Sequence, residues 1–306
     1  MKINLSLVIP FYNESNSLKE IYESIKFSIS KYNNILKYEI IFVDDGSIDN
    51  SWLIIRQISK LDKRVKGLKF NTNFGKSTAL DMGFKYCKGD VIITMDADLQ
   101  DNSREIPFLY EIIKYNNYNL VSGWKKNRKD SFIKIFSSKF FNFFSKTASN
   151  IKLNDFNCGL KAYSFDLVKR INIHDGIHRF IPIISKYKGF SKIYEKKVFH
   201  FSRVYGKTKF NNNRFFHGIL DLIFIIFNDK FKKKSIYFLG ILWIIFFSIV
   251  FFLFFFIIIY NFFLIKYNIY TKLITEFFFL FLFLFICFFF SWILSELFFY
   301  SFRRKI

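Results

Sequence analysis

Asp96, Asp98 and Asp101 fall within six residues in the stretch VIITMDADLQDN, directly after the apolar run Val91-Ile92-Ile93. Side chains on a strand alternate, so Asp96 and Asp98 at a strand end are expected to point the same way, about 7 Å apart. Two carboxylates held together repel, and each ionises less readily unless a cation lies between them. With no Cys or His beside them, these hard oxygen donors suit Mg2+ or Mn2+ and not zinc. Such ions take few protein carboxylates and complete their shell with water and substrate phosphates. Gln100 offers a further oxygen. The bound group implied is a diphosphate, and Glu14, Asp44 and Asp45 are candidates to accept hydrogen bonds from the base and hydroxyls of a nucleotide. A lone Asp-x-Asp is commonly a solvated turn; the reading gains weight only if these acids converge.

The elements needed to bring them together are legible. INLSLVI (3–9) is a short apolar run closed by Pro10, and Leu18, Ile21, Ile25 and Ile29 follow at helical spacing. EIIFVDDGS is a second apolar strand ending in acids, and Leu53, Ile54, Ile58 and Leu61 mark a second helix capped near Asp49 or Asn50. VKGLKF, the helix GKSTALDMGFKYC, the strand DVIITMDAD, a helix near 104–115 and the strand NLVSGW complete the pattern. Strands apolar throughout, alternating with helices, predict a mostly parallel sheet covered on both faces. Ligands bind such sheets beyond the carboxyl ends of the strands. Tyr12-Asn13-Glu14, Asp44-Asp45 and Asp96-Ala97-Asp98 are all expected at that edge.

Two other stretches imitate known chemistry. NFGKST (73–78) carries the tail of a P-loop, but the leading glycine position is Phe70, so no phosphate-cradling loop is expected. HDGIH (174–178) has the spacing of a zinc metalloprotease helix, with Asp175 in place of the glutamate and a helix-disfavouring Gly176. The three cysteines, Cys87, Cys158 and Cys287, have no metal-binding spacing and fit a reduced compartment.

The C-terminal third differs in kind. The 306-residue chain is 52% apolar with a net charge of +22, yet no charged residue lies between Ile236 and Ile265, and only Glu276 and Glu296 lie between Leu273 and Tyr300. Each stretch exceeds the roughly 20 apolar residues that cross a bilayer, so 236–265 and 273–300 are expected to form a transmembrane hairpin. KFKKK (230–234) and RRK (303–305) flank it, which places residues 1–212, the juxtamembrane 213–235 and the tail 301–306 on the cytoplasmic side of the inner membrane. The start, running from Lys2 into a strand-like segment, is read as free of a cleavable signal. Residues 132–148 are expected to carry Phe132, Ile135, Phe136, Phe140 and Phe143 on one helix face, with Lys134, Lys139 and Lys146 among or opposite them. Such a helix either faces the core or lies amphipathically in the membrane interface. Anionic lipid accounts for the positive charge, and nucleic acid is not expected as a partner.

Six stretches in order resemble the inverting family 2 glycosyltransferases: VIPFYNE (8–14), FVDDGSIDNS (42–51), NFGKSTAL (73–80), MDADLQD (95–101), DFNCGLKAYS (155–164) and RVYGKTKF (203–210). Within that family they are most similar to the dolichyl-phosphate mannose synthase and polyprenyl-phosphate glucosyltransferase branch. The resemblance implies a GT-A-like nucleotide-sugar domain over 1–212, followed by amphipathic interface helices and the hairpin. It implies that Pro10, Tyr12, Glu14, Val43, Asp44 and Asp45 hold the nucleoside, and that Asp96, Ala97, Asp98 and Gln100 handle metal and diphosphate. Arg203 and Lys209 would approach the phosphates. Where the family commonly carries an arginine, this chain has Gly123-Trp124-Lys125; lysine clamps phosphate less well than arginine, so Lys125 or Arg128 is expected in that role. Asp155 is expected to position substrate.

The implied reaction moves a hexose, with UDP-glucose the leading donor, onto undecaprenyl phosphate at the membrane. Small homo-oligomers through the membrane helices are compatible with it. Transfer to a glycan or protein, or a silent nucleotide-binding scaffold, are the alternatives; a processive synthase would carry a QxxRW-type motif, which is absent.

Overall fold

The computed structural model describes residues 3–205 apart from 33–34, 36, 127–131 and 174–175, and beyond 205 single positions between 221 and 292. It divides into two units, Met1–Ile226 and Phe227–Ile306.

The first unit is built on a seven-stranded sheet: β1 (Leu5–Phe11), β2 (Tyr38–Asp44), β3 (Val65–Lys69), β4 (Val91–Thr94), β5 (Leu120–Trp124), β6 (Lys161–Ser164) and β7 (Ile193–Lys197). The order is β3-β2-β1-β4-β6-β5-β7. Every pairing is parallel except those of β6, which runs antiparallel to both β4 and β5. The mostly parallel sheet expected from the alternating pattern is therefore present, interrupted by one reversed strand.

The helices are α1 (Leu18–Ser30), α2 (Ser51–Leu61), α3 (Lys76–Tyr86), α4 (Ile106–Asn116), α5 (Phe132–Ser149), α6 (Phe165–Arg170) and α7 (Ile181–Tyr187). Period-two alternation divides them between the faces. Leu5, Leu7, Ile9 and Phe11 pack with Ile21 and Ile25 of α1, Ile55 of α2 and Leu109 of α4. Val8, Ile41 and Val43 point the other way, into Ala79, Leu80 and Phe84 of α3 and Leu167 of α6. At Gly83 of α3 an added Cβ would stand 2.2 Å from a Val8 methyl, so α3 lies on β1 closer than any larger residue permits.

A third cluster joins α5 through Phe141 to Phe156, Phe180, Ile183, Leu222 and Ile225. The inward side of α5 includes Phe141, Ser145 and Ser149, whereas Phe143 and Phe144 are 65% and 43% exposed. One side of this helix thus faces the core, while Phe143 and Phe144 are turned outward.

In the second unit, described positions between 245 and 292 are helical, and Ile245, Phe252, Phe255, Phe277 and Leu284 among them are exposed. The expected spans 236–265 and 273–300 otherwise lie outside the described residues. Among the described residues no helix is long and apolar enough to cross a membrane.

Candidate functional site

Parallel strands β1, β2 and β4 end at one edge, and the loops beyond them are stitched together. Asn13, in the left-handed region at φ 51°, donates its backbone N–H to Ser47 Oγ (2.9 Å) and accepts from Ile48 N–H (2.9 Å). Glu14 N–H donates to Ser51 Oγ (2.9 Å). Ser17 Oγ donates to the carbonyl of Ala97 at 2.6 Å, fixing the residue between the two aspartates. These short polar side chains satisfy loop backbone groups that no ladder reaches.

β4 ends at Thr94, so Asp96 and Asp98 lie on the loop beyond it and strand alternation does not set their directions. Each has its own cation instead. Asp96 pairs with Lys76 Nζ, and its carboxylate lies against Gly159, where a Cβ would stand 2.4 Å from Oδ2. Its backbone N–H donates to Asp101 Oδ2 at 3.3 Å. Asp98 Oδ2 accepts from Arg203 Nη2 at 2.7 Å, and Arg203 Nη1 is 3.6 Å from Glu14 Oε1. Leu99 turns the chain at φ 60°, and Gln100 N–H returns to Asp98 Oδ1 at 3.2 Å.

Charge separates the two aspartates. Burial alone would raise Asp96, but Lys76 and Lys125 outweigh it and hold its carboxyl below the usual range. Asp98 is pushed up by burial and by Asp96 and Asp101, with Arg203 opposing. Asp45 is also raised by burial, while Phe74 and Gly75 N–H groups donate to its Oδ1 at 2.8 and 3.1 Å.

The open cleft is about 420 Å³. Of the residues expected from the sequence, Pro10, Tyr12, Glu14 and Asp45 line it together with Asp96, Ala97, Asp98 and Arg203. Others are placed differently. Val43 is fully buried within β2 and is not among the residues that line the cleft. Asp44 is buried too, its Oδ1 accepting Ser47 N–H at 2.7 Å in the turn. Gln100 sits beside Asp98, its side chain reaching towards Phe201.

Lys125 serves Asp101, 3.0 Å away, in a pair whose side chains are 11% and 0% exposed. Burial would lower Lys125, but Asp101, Cys158 and Asp96 hold it above the ordinary lysine value. Asp155 is buried in a turn, its Oδ1 accepting from Asn157 N–H at 3.0 Å. Arg128 and Lys209 lie outside the described residues.

Sequence reasoning missed Lys76, Gly159 and Glu195. Lys76 stood in the discarded P-loop tail, and Gly159 in DFNCG, where its closeness to Asp96 depends on β6 lying next to β4. Glu195 Oε1 accepts from the backbone N–H groups of Asn154 (2.7 Å) and Asp155 (2.9 Å), and its Oε2 from Asn154 Nδ2 (2.6 Å). No local pattern announces that contact across 40 residues.

Among the described residues no group of three or more His, Cys, Asp or Glu side chains could by itself hold an ion. Two carboxylates at a phosphate-sized cleft nevertheless fit Mg2+ or Mn2+, which take one or two carboxylates and rely on substrate phosphates for the rest. Gly159 packs directly on the Asp96 carboxylate, where no larger residue would leave room for it.

The family model of glycosyl transferase family 2 matches residues 6–172. A dodecaprenyl-phosphate galacturonate synthase of Rhizobium johnstonii is 32% identical over 241 residues, which is 78% of this chain and 71% of that protein. An undecaprenyl-phosphate 4-deoxy-4-formamido-L-arabinose transferase of Pseudomonas syringae is 32% identical over 234 residues, covering 76% of this chain and 68% of the relative. Among solved structures, glucosyl-3-phosphoglycerate synthase of Mycobacterium tuberculosis, in complex with Mn2+, UDP-glucose and phosphoglyceric acid, superposes with a TM-score of 0.57. At 18% identity over 73% of this chain and 80% of that one, this likeness shows a shared GT-A-like fold.

Proposed function

The chain belongs to glycosyl transferase family 2, and from that premise we propose that it transfers a sugar from a nucleotide diphosphate to a polyprenyl phosphate, with inversion. The observation that carries this reading is the convergence of Glu14, Asp45, Asp96 and Asp98 with Lys76 and Arg203 on one open cleft. Its acids suit the hydroxyls of a nucleoside, and its paired charges suit a diphosphate and an ion.

In the reaction a phosphate oxygen of the lipid attacks the anomeric carbon as the bond to the nucleoside diphosphate breaks, and the diphosphate leaves with the electron pair. The second pKa of a phosphate monoester is about 6, so the nucleophile is already an anion and the protein need not remove a proton. Cations must instead hold two phosphates close despite their repulsion. Arg203 is placed for this between Asp98 and Glu14. Asp96 and Asp98 would hold the divalent ion, which when bound neutralises charge on the leaving diphosphate.

A membrane-held acceptor is supported by exposed apolar side chains, and the cytoplasmic face of the inner membrane is the location we propose with it. Phe199, Phe201 and Val204 are 72%, 49% and 60% exposed on the segment that carries Arg203. Phe143 and Phe144 stand outward on α5. A lipid whose phosphate sits at the headgroups requires the site to rest on the membrane, with the expected hairpin as its anchor. Glucose is the sugar expected from the sequence, while the two relatives are named for galacturonate and a formamido-arabinose. All three belong in the donor panel.

The test is transfer from labelled UDP- and GDP-sugars to short-chain polyprenyl phosphate with Mg2+ or Mn2+, comparing wild type with Asp98→Ala. A metal-dependent lipid product that is labile to mild acid and missing in the variant is expected. Nucleotide binding without lipid product from any donor would overturn the acceptor.

A further inference from the structure

Two stretches whose familiar chemistry the sequence excludes meet beside the cleft, which Lys76 lines. Lys76 and Ser77 come from the P-loop tail, and His178 from the imitation zinc spacing. Ser77 Oγ lies 2.8 Å from His178 Nδ1 and accepts from the His178 backbone N–H at 3.1 Å. This clamp fixes the first turn of α3 against the 177–180 segment, whose Phe180 packs on Phe141 of α5 at 5.3 Å between ring centroids. Burial, with Lys76, Arg179 and Lys161 nearby, keeps His178 well below the ordinary imidazole value, so the clamp adds no charge near neutral pH.

What the clamp presents to the cleft is Lys76. Its side chain is 30% exposed, lines the cleft and pairs with Asp96 Oδ1. The ammonium therefore stands at the carboxylate that a divalent ion would use. An ammonium and a divalent ion on one carboxylate repel, so each weakens the other's hold on it. Arg203 stands in the same relation to Asp98, but it is also held towards a second carboxylate, that of Glu14. Lysine is a compact charge on a flexible four-carbon stem, able to exchange one anion for another without moving the backbone.

Resting on the reading above, we propose that Lys76 and the divalent ion compete for Asp96, and that the donor diphosphate decides the competition by drawing Lys76 to itself. Ion and nucleotide then bind as one unit. Each tightens the other by the same factor, as linkage requires, and the cleft discriminates against a metal ion arriving alone. Lys76 becomes a binding residue for the diphosphate, and Ser77 and His178 are positioning residues acting through it.

The experiment is equilibrium binding of Mn2+ to the full chain in detergent, followed by the Mn2+ electron paramagnetic resonance signal, alone and with saturating UDP or GDP. In the wild type, nucleotide is expected to tighten Mn2+ by roughly tenfold or more. In Lys76→Met, Mn2+ alone should bind several-fold tighter than in wild type, while the gain from nucleotide shrinks to about twofold. Lys76→Gln should behave like Lys76→Met if charge is what matters, and Lys76→Arg should keep the wild-type pattern. Thermal melting checks that the variants fold, and Lys76→Gln carries the test if the methionine variant does not. Unchanged or weaker binding of Mn2+ alone in the neutral variants would overturn the proposal, as would retention of the full nucleotide gain. A wild type that takes up no Mn2+ under either condition overturns it as well. None of these readouts needs turnover. The expected binding pattern without any lipid product would therefore sink the acceptor assignment and leave the competition standing.

Discussion

Asp101 and Lys125 form a buried ion pair directly behind the cleft, and Asp101 also receives the backbone N–H of Asp96. Removing one partner of such a pair leaves an uncompensated charge and costs about 3–5 kcal/mol, whereas replacing both can be nearly neutral. Asp101→Asn should therefore lower the urea midpoint sharply, and the double variant Asp101→Asn/Lys125→Met should recover much of the loss. An additive double variant would mean that the two residues act separately. Gly159 makes a different demand. Gly159→Ala would drive a methyl into the Asp96 carboxylate, and displacing a reacting or binding group by about 1 Å can cost up to about a hundredfold. Combined Mn2+ and nucleotide affinity is expected to fall by roughly tenfold or more with little change in melting. Wild-type affinity would show that Asp96 is free to move aside.

At the scale of elements, the loop that bears Asp155 hangs from β7. Glu195 takes three hydrogen bonds from Asn154 and Asp155, and bonds to a charged acceptor are each worth about 1.5–3 kcal/mol. Glu195→Ala should leave nucleotide binding near the wild-type value but depress transfer to lipid, with Glu195→Gln restoring part of it. Nucleotide titration alongside the transfer assay separates the two, and an equal loss in both would mean that the loop supports the whole cleft.

Elements of this kind were the hardest to read. Strands β1, β2, β4 and β5 announce themselves because both faces are covered, as the seven buried residues of β1 illustrate. β6 is four residues long and begins with Lys161, buried and bonded to the Phe156 carbonyl at 3.0 Å, and burial lowers that lysine from its ordinary value. β7, Ile193–Lys197, is an edge strand of mostly half-exposed residues and reads as a polar loop. The acids at the ends of β1, β2 and β4 were legible because parallel strands deliver their ends to one edge. Which cation meets which acid depends on tertiary contacts such as Lys76 to Asp96, twenty residues apart, and no sequence period encodes them.

For the whole molecule, charge and apolar surface act together. The chain carries a net charge of +22, and a basic side chain near an anionic membrane contributes about 1 kcal/mol. On α5, exposed Phe143 and Phe144 lie among exposed Lys139 and Lys146. The double variant Phe143→Ser/Phe144→Ser should keep nucleotide affinity yet turn over polyprenyl phosphate more slowly in anionic vesicles. The deficit should be smaller with a short-chain acceptor in detergent. Equal rates in vesicles would remove α5 from the membrane contact.

The reversed strand has one more consequence. Trp124 at the end of β5 and Lys161 at the start of β6 lie at the same rim, with Ser122 and Lys161 paired in register. Residues 125–160, including α5, therefore leave and rejoin the sheet through adjacent doorways, as a closed excursion from the scaffold. An excursion with neighbouring ends meets the scaffold at one place, and that place is the rim of the cleft. Its two ends, Lys125 against Asp101 and Gly159 against Asp96, thereby act as fasteners that tie the excursion to the acids of the cleft, while its middle is held by an apolar cluster of its own.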